Sequence, residues 1–128
     1  IVKKLADIDD FVEHVCLLLA PLGEIRPRRM FGGYGVYVDE VFIAIVAYDT
    51  LWFKVDEVNE PDYREAGSRP FKPWEDRETV MSYWEVPADV LDDRRAIITW
   101  GRKALEAAQR AAAAKKPKSV RPRATKKT

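Results

Sequence analysis

Cysteine and histidine are almost missing from this sequence, which contains one of each, Cys16 and His14. A single thiol forms no internal disulfide, so the fold has to rest on its core, as is usual in a reducing compartment. A structural zinc site needs three or four ligands, usually Cys and His, and two such residues are too few. The pair also fails as a nucleophile and its base, because positions i and i+2 on a helix point in different directions. Long apolar runs are missing too. The longest, Val41 to Tyr48, has eight residues, against about 20 needed to cross a bilayer. Asp7, Asp9 and Asp10 interrupt the first residues, so no signal peptide stands out. The chain starts at Ile1 and not at Met, which leaves room for a missing N-terminal piece. The expectation is a cytoplasmic protein without membrane contact.

What is present suits one globular unit. A chain of 128 residues with 47% hydrophobic content has the size and composition for a single core. The net charge of +1 conceals an asymmetry. Residues 1–114 carry 15 Lys/Arg against 21 Asp/Glu, a balance of −6, whereas residues 115–128 carry seven Lys/Arg and no acid. The predicted division is therefore a domain over 1–114 and a basic, disordered tail over 115–128, where Val120 is the only large apolar residue and Pro117 and Pro122 interrupt the chain. An acidic body is a poor general clamp for DNA. Lys115, Lys116, Lys118, Arg121, Arg123, Lys126 and Lys127 of the tail could attract phosphate by themselves.

Periodicity predicts the elements. Phe11, Val15, Leu18, Leu19 and Leu22 share one helical face, with Asp7 or Asp9 as N-cap and an end near Pro21 to Gly23. Tyr34, Val36 and Val38 then alternate as a strand. Asp39-Glu40 turns the chain into Val41–Val46, which is apolar on both sides and reads as a central strand, and Tyr48-Asp49-Thr50 turns it into Leu51–Val55. Asn59, Pro61 and Gly67 mark the start and end of a short helix. Thr79–Glu85 reads as another strand. Asp92 or Asp93 caps a last helix in which Ile97, Trp100, Ala104 and Ala108 face the sheet, fraying along Ala107 to Ala114. The fold class is α+β: a largely antiparallel sheet in α-β-β-β-α-β-α order, with room for an extra short strand, flanked by helices in two layers.

Three groups of residues invite a chemical reading. The acidic pairs Asp9-Asp10, Asp56-Glu57, Glu75-Asp76 and Asp92-Asp93 could assemble an acid/base site, yet each also suits a turn or cap, and nothing ties two of them to one cleft. Arg26, Arg28 and Arg29 precede Gly32-Gly33-Tyr34-Gly35, so Arg26, Arg28, Arg29, Gly32 and Gly33 form a candidate anion site. The segment lacks the Gly-Lys-Ser/Thr ending of a P-loop, and it precedes a strand where the dinucleotide fingerprint requires a helix. The competing explanation is that the glycines permit a bend or bulge at the start of the sheet. Gly33-Tyr34-Gly35 also partly matches the stacking motif of RNA-recognition sheets, with Gly32 where a cation is expected. Of the four tryptophans, Trp52, Trp84 and Trp100 fall on predicted core elements, which leaves Trp74 as the exposed one.

Several of these segments occur together in one known arrangement. Arg29-Met30-Phe31-Gly32-Gly33-Tyr34-Gly35-Val36-Tyr37, Leu51-Trp52-Phe53-Lys54-Val55-Asp56, Tyr63 to Gly67, Pro70-Phe71, Met81-Ser82-Tyr83-Trp84-Glu85-Val86-Pro87, and Leu91-Asp92-Asp93 with Trp100 follow in order. Over roughly Phe11 to Ala108 the chain resembles the N-terminal domain of the TfoX/Sxy competence-regulator family. The resemblance implies a small α+β domain with a largely antiparallel sheet, no known cofactor and no established catalytic residues. It also implies a role in regulating DNA uptake and transcription, in some bacteria together with the cyclic-AMP receptor protein. Full-length members carry a second, helical C-terminal domain, and here a basic Ala/Lys/Pro/Arg segment follows.

The sequence therefore predicts a regulatory binding module and not an enzyme, with no cofactor, a protein partner, non-specific DNA contact through the tail, and room for a homodimer. Two alternatives stand beside it. One is a small-molecule or nucleotide-binding protein using the Arg26–Gly35 segment; the other is a plain protein-interaction domain.

Overall fold

A computed structural model describes residues 10–30, 33–71 and 82–120, with side chains described as far as residue 114. The first described element, α1, is Asp10–Leu19, with Asp10 and Glu13 in its first turn, where negative charge complements the helix dipole. Val12, Val15 and Leu19 form its buried face. A 3-10 turn over Ala20–Leu22, with Pro21 at its start, ends the helix where expected. The proposed caps Asp7 and Asp9 lie outside the described residues.

Among the described residues five strands follow: β1 (Ile25–Met30), β2 (Gly33–Val38), β3 (Val41–Ala47), β4 (Thr50–Lys54) and, later in the chain, β5 (Tyr83–Glu85). They form one sheet in the order β1-β2-β3-β4-β5, every neighbouring pair antiparallel. The α+β class and the meander are as predicted. The six-residue β1 goes beyond the short extra strand the sequence left room for, because Arg26, Pro27, Arg28 and Arg29 carry no apolar alternation. Charges and a proline are how an edge strand discourages further pairing, and β1 is an edge. The part of the Thr79–Glu85 strand before Ser82 lies outside the described residues.

Two hairpins fix the register. Asp39 and Glu40 (φ 48° and 69°) join β2 to β3, and Tyr48 and Asp49 (φ 56° and 55°) join β3 to β4. Paired positive φ values give the turn whose twist suits a two-residue hairpin, although left-handed backbone costs a non-glycine residue about 1–2 kcal/mol. Local hydrogen bonds offset part of that cost. The Asp39 carboxylate accepts from the Glu24 amide at 2.8 Å, and the Thr50 hydroxyl donates to the Tyr48 carbonyl at 3.0 Å. A bulge between Val36 and Tyr37 sets Tyr37 opposite Phe42 and Val36 opposite Ala44, leaving Ile43 unpaired and fully buried.

The remaining helices among the described residues are α2 (Glu60–Glu65), α3 (Ala88–Leu91) and α4 (Arg94–Val120). Asn59 stands before α2 as expected, but its side chain does not cap that helix. It accepts from the Asp56 amide at 2.8 Å and donates to the Lys54 carbonyl at 3.1 Å, tying down the end of β4. Gly67 closes α2 with φ 75°; its amide donates to the Arg64 carbonyl, and the Ser68 amide to that of Tyr63, the paired bonds of a Schellman end. Asp93 caps α4 as predicted, accepting from the Arg95 and Ala96 amides, each at 3.0 Å.

Helices α1 and α4 cover one face of the sheet. Val12, Val15, Leu19, Val36, Val38, Phe53, Ile97 and Ala104 fill that layer without exposure. Gly101 brings α4 close to Leu22, Leu19 and Phe53; a Cβ there would stand 2.9 Å from Leu22 Cδ1. The opposite face holds a second apolar cluster of Ile45, Ala47, Trp52, Phe71 and Tyr83. Residues 109–114 of helix α4 are exposed, and its backbone continues to Val120. Lys115, Lys116 and Lys118 are accordingly helical in backbone where a disordered tail was expected, in keeping with the helix propensity of Ala and Lys.

Candidate binding surface

The cluster Arg26, Arg28, Arg29, Gly32 and Gly33 is divided by the strand it lies on. Successive strand residues point to opposite faces, so Arg26 and Arg28 share the face away from the helices, whereas Arg29 lies on the helix side opposite Tyr34. The Arg29 guanidinium sits 5.8 Å from the centre of the Tyr34 ring. Gly33 has a packing role: a Cβ there would fall 2.1 Å from the Val46 carbonyl oxygen. Gly35 makes room for Met30, whose sulfur would be 2.8 Å from such a Cβ. Gly32 lies outside the described residues. Tyr34 faces the helix side, away from Tyr37, which removes the stacking platform suggested by Gly33-Tyr34-Gly35.

In place of the cluster, the sheet register builds a row that local sequence conceals. Arg26 is opposite Tyr37, Tyr37 opposite Phe42, and Lys54 opposite Tyr83, while Ala44 opposite Phe53 sets Ile43 level with Lys54, one residue from Phe42. One side chain from each strand thus crosses the outer face, over about 19 Å at ~4.8 Å per strand spacing. The rings are in contact: Tyr37 stacks on Phe42 at 5.0 Å with 20° between planes, and Phe42 meets Tyr83 at 5.4 Å. Cations border them. Arg26 and Arg28 lie 5.5 and 5.9 Å from the Tyr37 ring centre, and Lys54 lies 5.4 Å from that of Tyr83.

Electrostatics hold the two ends differently. Arg26 pairs with Glu40, its Nε donating to the carboxylate at 3.1 Å, and this hydrogen bond holds the Glu40 carboxyl below its usual range. Arg28 has no ion pair among the described residues. At the β4–β5 end Arg69 donates to Glu85 at 2.8 Å and lies over Trp52, while Phe71 packs on Trp52 with centroids 4.9 Å apart. The Phe71 amide donates to the Tyr83 carbonyl at 2.7 Å, so this segment closes the β5 edge. Tyr83 is buried there, and burial, then the neighbouring Tyr37, pushes its hydroxyl pKa up. Tyr37 and Phe42 are half-buried and Arg26 and Arg28 exposed, which leaves the β1–β3 half of the face accessible.

The other candidates serve the fold. Asp56 accepts both Arg110 nitrogens, at 2.7 and 3.0 Å, and the Val58 amide at 3.0 Å; these bonds hold its pKa down, the Arg110 bond most strongly. Two open grooves of about 450 Å³ adjoin it, and the further carboxylate Glu60 is paired with Arg64 at 2.5 Å. Asp93 is a cap. Asp9, Glu75, Asp76 and Trp74 lie outside the described residues. His14 is exposed on α1, while Cys16 is half-buried, its thiol pKa raised by burial and then by Glu13. No three His, Cys, Asp or Glu side chains converge as a metal site among the described residues. Lys115, Lys116 and Lys118 lie on α4, and Arg121, Arg123, Lys126 and Lys127 are outside the described residues.

Fold and surface together define an α+β domain whose distinctive chemistry is spread over an open sheet face. The family profile of the TfoX N-terminal domain matches residues 17–108, and the chain belongs to that family. The family is not one of known enzymes. Comparison with curated proteins finds no significant match. Among the described residues no helix is long and apolar enough to cross a membrane.

Proposed function

We propose that this chain is a non-enzymatic regulatory binding module that acts in the cytoplasm in the control of competence or transcription. It engages a protein partner through the domain, and its C-terminal cations add non-specific affinity for DNA. The observation that carries this reading is the family match, which covers the α+β body and stops at residue 108, just before the helix leaves it. Arg110, bound to Asp56, is the last described side chain of α4 with an ion pair to the body. All seven Lys and Arg of residues 115–128 therefore follow that anchor in the sequence, after an acidic domain.

The test compares the natural chain with one whose seven C-terminal Lys and Arg are changed to Gln. Duplex DNA binding is expected to weaken, and the slope of log K against log salt to flatten by up to about six, from ~0.9 per phosphate contact. Equal affinity and slope would reject the role of the arm. Co-purification with a transcription regulator that survives nuclease treatment supports the partner; its loss on nuclease treatment rejects a direct contact. Pairing of two copies through β1 is opposed by Arg26, Arg28 and Arg29, which would face their own copies along that edge.

A further inference from the structure

We infer that the outer face of the sheet is a second nucleic-acid surface, independent of the C-terminal arm, and that it takes a single strand along the row Arg26–Tyr37–Phe42–Lys54. Three observations lead there. The face opposite the helices offers half-buried rings and not a closed cavity, and the Tyr37 and Phe42 rings stack at 5.0 Å. Cations border those rings on both sides, with Arg26 and Arg28 over Tyr37 and Lys54 over Tyr83. Arg28 is exposed and makes no close ion pair among the described residues, with Glu40 acting on it only at longer range, so a phosphate can approach it without displacing an ion pair.

The ligand class follows from what these groups can recognise. Every base presents a flat π-face that stacks on an aromatic ring or a guanidinium plane, while phosphates meet the cations. An acidic peptide would satisfy the arginines and leave the rings unused. A duplex would offer its phosphates, but its bases are stacked against one another and cannot reach the rings. A mononucleotide is short against a row that crosses four strands, about 14 Å at ~4.8 Å each. Stacking and charge do not depend on the sugar, so DNA and RNA strands should bind alike.

The experiment uses the full-length chain with its seven C-terminal Lys and Arg changed to Gln, so that failure of the arm and failure of the sheet face are read separately. Fluorescence anisotropy follows labelled thymidine and uridine oligomers of about ten nucleotides, within the site sizes typical of such surfaces. Both single strands are expected to bind, and a duplex of the same length at least tenfold more weakly. Arg28→Glu should weaken binding about tenfold or more and flatten the salt slope by ~0.7 for the lost contact. Phe42→Leu keeps an apolar side chain but removes the flat ring, and it should weaken binding about tenfold while leaving the salt slope unchanged. Thermal melting of each variant confirms that the fold persists. The inference is overturned if the neutralised chain binds no oligomer, if duplex binds equally well, or if a folded Phe42→Leu protein binds like its parent.

Discussion

Removing one oxygen atom from Tyr63 should stabilise this protein. Tyr63 is 1% exposed, and its ring packs edge-on against Trp100 at 4.7 Å and near Trp84 at 6.3 Å. Its hydroxyl is buried without a hydrogen-bond partner among the described residues. In the unfolded chain that hydroxyl bonds water, so folding forfeits a bond and leaves a polar group in an apolar setting, at a cost of about 1–3 kcal/mol. Tyr63→Phe removes this cost and keeps both ring contacts. A small gap is left where the oxygen was, and the lost contacts subtract a few tenths of that gain at ~0.1–0.2 kcal/mol per atom pair. The net expectation is a gain of about 1–2 kcal/mol, which raises Tm by roughly 4–8 °C for a domain of this size. Thermal and urea denaturation followed by circular dichroism measure it, with Tyr63→Ala as a control that should lose about 3–5 kcal/mol with the ring. A Tyr63→Phe protein that melts at or below the parent temperature would refute the reasoning, because the hydroxyl would then have a partner.

The same burial has a consequence at high pH. Desolvation raises the hydroxyl pKa values of Tyr63 and Tyr83 above the ordinary value, so the folded state keeps protons that the unfolded state loses. Stability is therefore full below about pH 10 and falls as pH rises beyond it, by up to ~1.4 kcal/mol per unit for each tyrosine; Tyr63→Phe should halve that slope in urea titrations across the alkaline range. Asp93→Ala removes the cap of α4 and should cost about 1 kcal/mol, read as a lower urea midpoint at unchanged slope. Gly33→Ala places a Cβ against the Val46 carbonyl and should cost at least about 1–3 kcal/mol, since strand backbones must separate. A Gly33→Ala protein of parental stability would show that the contact between β2 and β3 is looser than it stands.

Much of the scaffold was legible because local rules decided it. Period-two alternation on Tyr34, Val36 and Val38 fixed a strand, and the pairs Asp39-Glu40 and Tyr48-Asp49 fixed two hairpins. Asp93 announced a cap, and Ile97, Ala104 and Ala108 a buried helical face. Asn59 was placed correctly at the start of α2 but misread in function, because its amide bonds the end of β4 from a distance of several residues. Strand β1 was hidden for the reason that suits it to an edge. Three arginines and a proline suppress the strand signal, and only pairing with β2 reveals it.

The sequence by itself determined the α+β class, the antiparallel meander, the family and the concentration of positive charge after Lys115, since each depends on spacing and composition along the chain. Tertiary structure decided what those residues become together. It separated Arg29 from Arg26 and Arg28, because alternate residues of a strand face opposite ways. It made packing sites of Gly33 and Gly35, and it gathered Arg26, Tyr37, Phe42, Lys54 and Tyr83 from five strands into one row. Cross-strand register is a relation between segments far apart in the chain, and a single bulge at Val36/Tyr37 shifts it, so no local pattern contains it.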